Sequence, residues 1–233
     1  MKLGIIGAMR QEVETLLSHV EDCRHTERAG SVFYEGTLGG LDCVIVQCGV
    51  GKVNAALCVQ ILCDCYHITH VVNTGIAGSL CAELDIGDLV ISRDAMYHDV
   101  DCHAFGYPVG KVPGMPVQYE ADATLIRLAL EAAEAVHPGH IRSGRIASGD
   151  QFVCEKPLKE HIIRVTGALC TEMEGAAIAH AAYRNGIPFV IIRAISDKAD
   201  DSAEVDYPTF ETQAAHHCAA VTMAFAQKLL SAV

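Results

Sequence analysis

Four carboxylates stand where a strand-like run gives way to another element. Glu12 follows the apolar run Lys2 to Gly7. Glu172 and Glu174 lie in Cys170-Thr-Glu-Met-Glu-Gly-Ala176. Asp197 closes Pro188-Phe-Val-Ile-Ile-Arg-Ala-Ile-Ser-Asp197, which also carries Arg193 and Ser196. In α/β sheets ligands bind beyond the carboxyl ends of the strands, so acids placed there are candidates for a ligand site. The competing reading is structural: Asp and Glu also favour the first turns of helices as caps and dipole partners. Phe152, in the glycine-containing loop Ser148-Gly-Asp-Gln-Phe-Val153, has two readings as well. It stacks on a planar base or folds back into the core.

The elements that must hold these residues alternate along the chain. Lys2 to Gly7 predicts a first strand, and Glu12, Val13, Leu16, Leu17 and Val20 carry helical spacing. Ser31 to Leu38 and Leu41 to Gln47, joined by Gly39-Gly40, predict a hairpin. Val53 to Tyr66 predicts a helix. His70 onward predicts a strand running into a loop of small residues ending at Ser79, where backbone N–H groups can approach a ligand closely. Gly87 to Ser92 and Ile141 to Ala147 are further strands, and Thr124 to Val136 is a helix. Ala176 to Tyr183 is helix-like. Val190, Ile191, Ile192 and Ile195 lack alternation, as expected of a strand buried on both faces. After a polar gap, Asp200 to Asp206, the last helix is expected over Thr209 to Leu230. The pattern predicts an α/β fold in a single domain, residues 1–233, with a mixed, mostly parallel central sheet flanked by helices.

Bulk properties exclude several classes. The 233 residues are 51% hydrophobic with 7 prolines, which argues against disorder. A formal charge of −12 argues against nonspecific nucleic-acid binding. The 11 cysteines include no C-x-x-C pair, and many sit in apolar runs, as buried thiols in a reducing cytosol do. No stretch reaches the ~18 apolar residues of a membrane span. A cytoplasmic protein is expected. Gly49-Val-Gly-Lys-Val is not a phosphate-binding loop, since Val46 and Val53 occupy positions that need glycine and Ser/Thr. His98, Asp99, Asp101 and His103 could suggest a metal, but no second cluster of ligand spacing supports one, and none is expected.

Seven motifs in order resemble one family: Gly4-Ile-Ile-Gly-Ala-Met-Arg-Gln-Glu12, Gly49-Val-Gly-Lys-Val-Asn-Ala-Ala56, Asn73-Thr-Gly-Ile-Ala-Gly78, Tyr97-His-Asp-Val-Asp with Ala104-Phe-Gly-Tyr107, Ser148-Gly-Asp-Gln-Phe152, Glu172-Met-Glu174 and Arg193-Ala-Ile-Ser-Asp197. The chain resembles the 5′-methylthioadenosine/S-adenosylhomocysteine nucleosidases, of the purine nucleoside phosphorylase and uridine phosphorylase superfamily, from residue 1 to about Leu230. The resemblance implies hydrolysis of the N-glycosidic bond of methylthioadenosine and S-adenosylhomocysteine, and of 5′-deoxyadenosine as a further candidate, releasing adenine. It also implies a homodimer whose neighbouring-subunit loop, around Cys102 to Pro113, completes the site, with no cofactor and no metal.

By that resemblance Asp197 is the general acid that protonates adenine N7, and Glu12 orients and deprotonates the attacking water. Glu174 accepts the ribose hydroxyls, and Met173 lies against the ribose. Phe152 stacks on adenine and the Val153 backbone reads its edge. Arg193 is a partner of the water site, balanced by Glu172. Met9, Val50, Phe105 and Tyr207 match the lining for the 5′-alkylthio group, and Pro113 and Cys102 match positions at the subunit contact. Ile76, Ala77, Gly78 and Ser196 complete the candidate binding residues. Three positions depart from the family's pattern: Ile76 stands where a serine is frequent, Tyr207 where phenylalanine is common, and Cys102 where an aliphatic residue is usual. Two alternatives carry through: a purine nucleoside phosphorylase of the same fold, and a non-catalytic nucleoside-binding protein. Glu12 beside the attacking position repels phosphate and activates water, which favours hydrolysis.

Overall fold

The computed structural model describes residues 1–200 and 202–232. Its elements are β1 (Leu3–Gly7), α1 (Arg10–Leu17), β2 (Val20–Arg28), β3 (Ser31–Leu38), β4 (Leu41–Gln47), α2 (Lys52–Tyr66), β5 (His70–Ser79), β6 (Leu89–Tyr97), β7 (Tyr119–Glu120), α3 (Ala123–Val136), β8 (Ile141–Ser148), α4 (Lys156–Thr166), β9 (Cys170–Glu172), α5 (Gly175–Asn185), β10 (Phe189–Asp197) and α6 (Ala203–Ser231). A 3₁₀ turn spans His103–Phe105.

The sheet is mixed, as expected. Its middle is parallel, in the order β4, β1, β5, β10. From β10 the sheet continues antiparallel into β6, then parallel through β8 and β9. It then closes on itself, because β9 pairs antiparallel with the end of β5, at Gly78↔Thr171 and Ser79↔Cys170. Five strands thus form a ring, and β1, β4, β3 and β2 extend from it as an arm. The carboxyl ends of β5 and β10, together with β8 and β9, meet around one opening instead of along an open edge.

Both faces of the sheet are buried, which is why its strands lack alternation. Along β10, Val190, Ile192 and Ala194 pack with α1, α3 and α6 residues such as Leu16, Leu128 and Phe225. Ile191 and Ile195 pack on the other side with α2 and α5 residues such as Val59 and Ile178. Helix α6 buries Ala214, Ala215, Cys218, Ala219, Thr222, Phe225, Ala226 and Leu229, a stripe at helical spacing.

Four expectations need correction. Val20 does not continue α1; it opens β2, a charged and exposed strand paired with β3. The small residues from Gly75 to Ser79 form no loop but continue β5. Helix α4 was not anticipated. Helix α6 begins at Ala203, six residues before Thr209, and holds Pro208 inside it. Pro208 lies in the second turn, where it removes one backbone bond and crowds the Glu204 carbonyl, while Glu204 and Asp206 suit the positive end of the helix dipole.

Candidate active site

Asp197 is the last residue of β10 and is buried. Its Oδ1 accepts the Ala199 backbone N–H at 2.7 Å, and its Oδ2 accepts the Ser196 hydroxyl at 2.8 Å. Ser196 Oγ also lies 3.4 Å from the Ala77 carbonyl, so its proton has two places to point as Asp197 changes charge. Burial pushes the Asp197 carboxyl above its ordinary pKa, against the pull of these two donors, and Asp206 and Asp200 push the same way. Gly78 makes the geometry possible: a Cβ there would meet Asp197 Oδ1 at 2.7 Å and Ala199 Cβ at 2.8 Å.

Glu12 lies in the first turn of α1 but does not cap it passively. Its Oε2 accepts the Ala8 and Met9 N–H groups at 2.6 and 2.9 Å, and its Oε1 accepts the Ile76 N–H from β5 at 3.1 Å. Burial raises its pKa, opposed chiefly by Arg193. Arg193 is fully buried and donates to Asn73 Oδ1 at 2.5 Å and to Glu172. A Cβ at residue 75 would overlap both the Arg193 guanidinium and Glu12, so glycine is required there for packing.

Glu172 is tied down completely. Its carboxylate accepts the Ser148 hydroxyl, the Glu174 and Gly175 N–H groups at 3.1 and 2.7 Å, and Arg193. Glu174 keeps more freedom: Oε1 accepts the Gly51 N–H at 2.8 Å, and Oε2 is 3.9 Å from Arg193. Burial, and behind it the charge of Glu172, pushes the Glu174 carboxyl up. An acid whose pKa is raised by folding binds its proton more tightly in the native state. Its ionisation therefore costs stability above the ordinary pKa, and the cost is relieved as pH falls. Glu174→Gln, which keeps an acceptor for Gly51, is expected to melt roughly 2–4 °C above wild type near pH 8 in the absence of ligand. The gap should close towards pH 5; a variant that melts lower at both pH values contradicts this charge cost.

One cavity joins these groups. Met9, Glu12, Val50, Ile76, Ala77, Gly78, Phe152, Val153, Met173, Glu174, Ser196, Asp197 and Tyr207 all line it. Phe152 is 47% exposed and meets Tyr207 edge-on, ring centres 5.4 Å apart, so it is not folded into the core. The Tyr207 hydroxyl lies 3.1 Å from Met9 Sδ. Ile76 is buried and donates its backbone N–H to Glu12, while its side chain brings no hydroxyl to the cavity.

Three expected residues stand elsewhere. Arg193 lies beneath the cavity floor, its guanidinium directed to Glu172 and Asn73. Phe105 and Pro113 do not line the cavity within this chain, and Phe105 is 82% exposed on its 3₁₀ turn. Ala8, Gln151, Thr171 and Glu172 also line it. Gln151 was findable as the neighbour of Phe152; Ala8 and Thr171 carry no chemical signal. His98, Asp99, Asp101 and His103 do not converge, since Asp101 pairs with His103 and Asp99 with Lys52. No group of three potential ligands among the described residues is arranged to hold a metal.

An acid at the end of β10, a second carboxylate at the start of α1 and a third on a wall shared with an exposed aromatic ring thus converge on one cavity. The profile of the phosphorylase superfamily matches residues 2–227. The chain is 42% identical over 229 residues to the 5′-methylthioadenosine/S-adenosylhomocysteine nucleosidase of Chromohalobacter salexigens, covering 98% of this chain and 97% of that one. It is 43% identical to the nucleosidase of the same description from Halalkalibacterium halodurans, covering 98% and 99%. The structure of the Streptococcus pneumoniae nucleosidase with the transition-state inhibitor MT-ImmA superposes with a TM-score of 0.94 at 36% identity, covering 98% of this chain and all of that one. The chain belongs to the 5′-methylthioadenosine/S-adenosylhomocysteine nucleosidase family of that superfamily.

Proposed function

We propose that the protein hydrolyses the N-glycosidic bond of 5′-methylthioadenosine and S-adenosylhomocysteine, releasing adenine and the corresponding 5-thioribose, and that residues 1–233 act as one nucleosidase domain. Asp197 donates a proton to adenine N7, so the base leaves neutral. The ribosyl centre gains oxocarbenium character, as in glycoside hydrolysis. Glu174 accepts the ribose hydroxyls, and its charge favours the developing cation. Water enters on the face opposite the base; Glu12 takes its proton as the C–O bond forms. The ledger is one nucleoside and one water in, adenine and a free sugar out.

The observation that carries hydrolysis over phosphorolysis is the charge of the cavity wall. Among the described residues no Lys, Arg or His lines the cavity, whereas Glu12, Glu172, Glu174 and Asp197 do. The one guanidinium nearby, Arg193, is committed to Glu172 and Asn73. A phosphate dianion needs several free donors and finds carboxylates instead. Adenine is therefore expected from methylthioadenosine in phosphate-free buffer, at a rate that added phosphate does not raise, with methylthioribose as the sugar product. A strict requirement for phosphate, with a pentose 1-phosphate formed, overturns the reading. Absence of adenine under both conditions points to a binding protein.

We also place the protein in the cytoplasm as a homodimer. Its described cysteines are all free, and no described helix is long and apolar enough to cross a membrane. Val53 and Leu57, one turn apart on α2, are exposed apolar residues near the Val50 wall of the cavity, and Phe105 is exposed too. Burying them against a second copy would explain their exposure and bring a Cys102 to Pro113 loop to the open end of the site. Sedimentation equilibrium at micromolar concentration should give twice the 24.9 kDa chain mass; the single mass at all concentrations refutes the dimer.

A further inference from the structure

The Tyr97-His-Asp99 segment lines no part of the cavity, yet it is bound closely to the segments that do. Asp99 Oδ2 accepts the Lys52 ammonium at 2.5 Å and the Asp150 backbone N–H at 2.9 Å. Asp150 in turn caps a helix that is not its own: its Oδ1 accepts the Lys52 N–H at 2.8 Å, at the start of α2. Helix α2 has no side-chain cap from its own N-cap, Gly51. Lys52 Nζ also lies 3.8 Å from Asp150 Oδ2 and 5.3 Å from the centre of the Tyr97 ring. The Lys52 and Asp99 side chains are only 22% and 15% exposed, so the charges face each other across protein more than across water. Behind them the His98 N–H donates to Ser148 O at 2.9 Å, and the His98 ring sits where a Cβ on Gly149 would be.

Each partner is one or two residues from a cavity group. Gly51, next to Lys52, donates its N–H to Glu174 at 2.8 Å, and Val50 precedes it. Phe152 and Val153 follow Asp150. The network therefore ties the loop that presents the base platform to the turn that fixes the ribose carboxylate. We propose that Lys52, Asp99 and Asp150 form a positioning network that sets the distance between the Phe152 platform and Glu174, and so sets nucleoside affinity without taking part in bond cleavage. This inference rests on the nucleosidase reading. A loop carrying Phe152 that is free to drift loses base stacking, and a turn that shifts Gly51 loosens Glu174. Neither change touches Asp197 or Glu12, whose partners lie on β5, on β10 and just after it, and in the β1–α1 turn.

The test compares wild type, Lys52→Met, Asp99→Asn, the double variant and Lys52→Arg. It measures KM and kcat for methylthioadenosine, the dissociation constant of adenine by calorimetry, and the melting temperature. Lys52→Met and Asp99→Asn are expected to raise KM and the adenine dissociation constant by about tenfold or more, with kcat falling by less than KM rises. The double variant should be no worse than either single one, since they break one unit. Lys52→Arg should recover most of the affinity. Asp99→Asn keeps an acceptor for the Asp150 N–H, so it tests the charge pairing even if Lys52→Met fails to fold. Unchanged affinity in folded variants overturns the network, as does a fall in kcat with KM unchanged. Failure of wild type to bind adenine overturns the nucleosidase reading instead, so the two failures are distinct.

Discussion

Asp197→Asn is expected to bind methylthioadenosine within a few-fold of wild type and to release adenine more than about a hundredfold more slowly, as removal of a general acid does. The substitution is close to isosteric, and its amide oxygen can still accept the Ala199 N–H that Asp197 accepts at 2.7 Å. What it lacks is a proton to give. Adenine must then leave as an anion, and the barrier rises by the cost of that charge. Single-turnover adenine release, with binding measured separately, checks both halves; turnover within a few-fold of wild type removes Asp197 from the role.

The pH dependence follows from the same site. Burial raises the Asp197 pKa, so a larger fraction is protonated at a given pH than for an exposed aspartate. Activity carried by the protonated acid declines as pH rises through that raised pKa. The limb should vanish in Asp197→Asn, whose residual rate has no acid to lose. Glu12 acts in the opposite sense: it must be ionised, and burial raises its pKa too, so activity falls as pH drops through it. Two raised carboxylates, one needed protonated and one ionised, predict a bell-shaped profile whose apparent pKa values belong to the pair.

Much of this site is legible in the sequence because the strands that carry it bury both faces. Residues 189–197 lack alternation for that reason, and a polar cluster after such a run marks a strand end. The hairpin around Gly39-Gly40 is equally plain, since local turn chemistry decides it. Three features were not legible, for different reasons. The ring closes through the two-residue contact between β5 and β9, too short to leave a pattern. Strand β2 is exposed along nearly its whole length, so burial does not select its residues and no period of two appears. The glycines at 75 and 78 suggest a loop that admits a ligand, but they make room for Arg193 with Glu12 and for Asp197 with Ala199. That role belongs to side chains distant in the chain, most of them more than a hundred residues away, which local sequence does not show. Phe105 and Pro113 lie outside the cavity of the single chain, which fits a residue set divided between two copies.

Glu12→Gln is the second large effect expected, and it separates the charge of Glu12 from its shape. Glu12 accepts three backbone N–H groups, from Ala8, Met9 and Ile76, and faces Arg193. A glutamine has one acceptor oxygen. Its NH₂ must point either at the Ala8 and Met9 donors or towards Ile76 and the guanidinium, so the variant is expected to melt below wild type. Hydrolysis should fall by about a hundredfold or more, because no group takes the water's proton. Asp197 is untouched, so the base can still be protonated and only the nucleophile is missing. Azide needs no deprotonation, and with Glu12 neutral it is no longer repelled from the attacking position. Added azide is therefore expected to accelerate adenine release by Glu12→Gln, with a ribosyl azide as product, and to leave wild type unaffected. Acceleration of both proteins alike would mean that Glu12 does not guard the nucleophile site. Wild-type hydrolysis in the variant would mean that water is activated elsewhere. Rescue confined to the variant ties water activation and phosphate exclusion to one carboxylate.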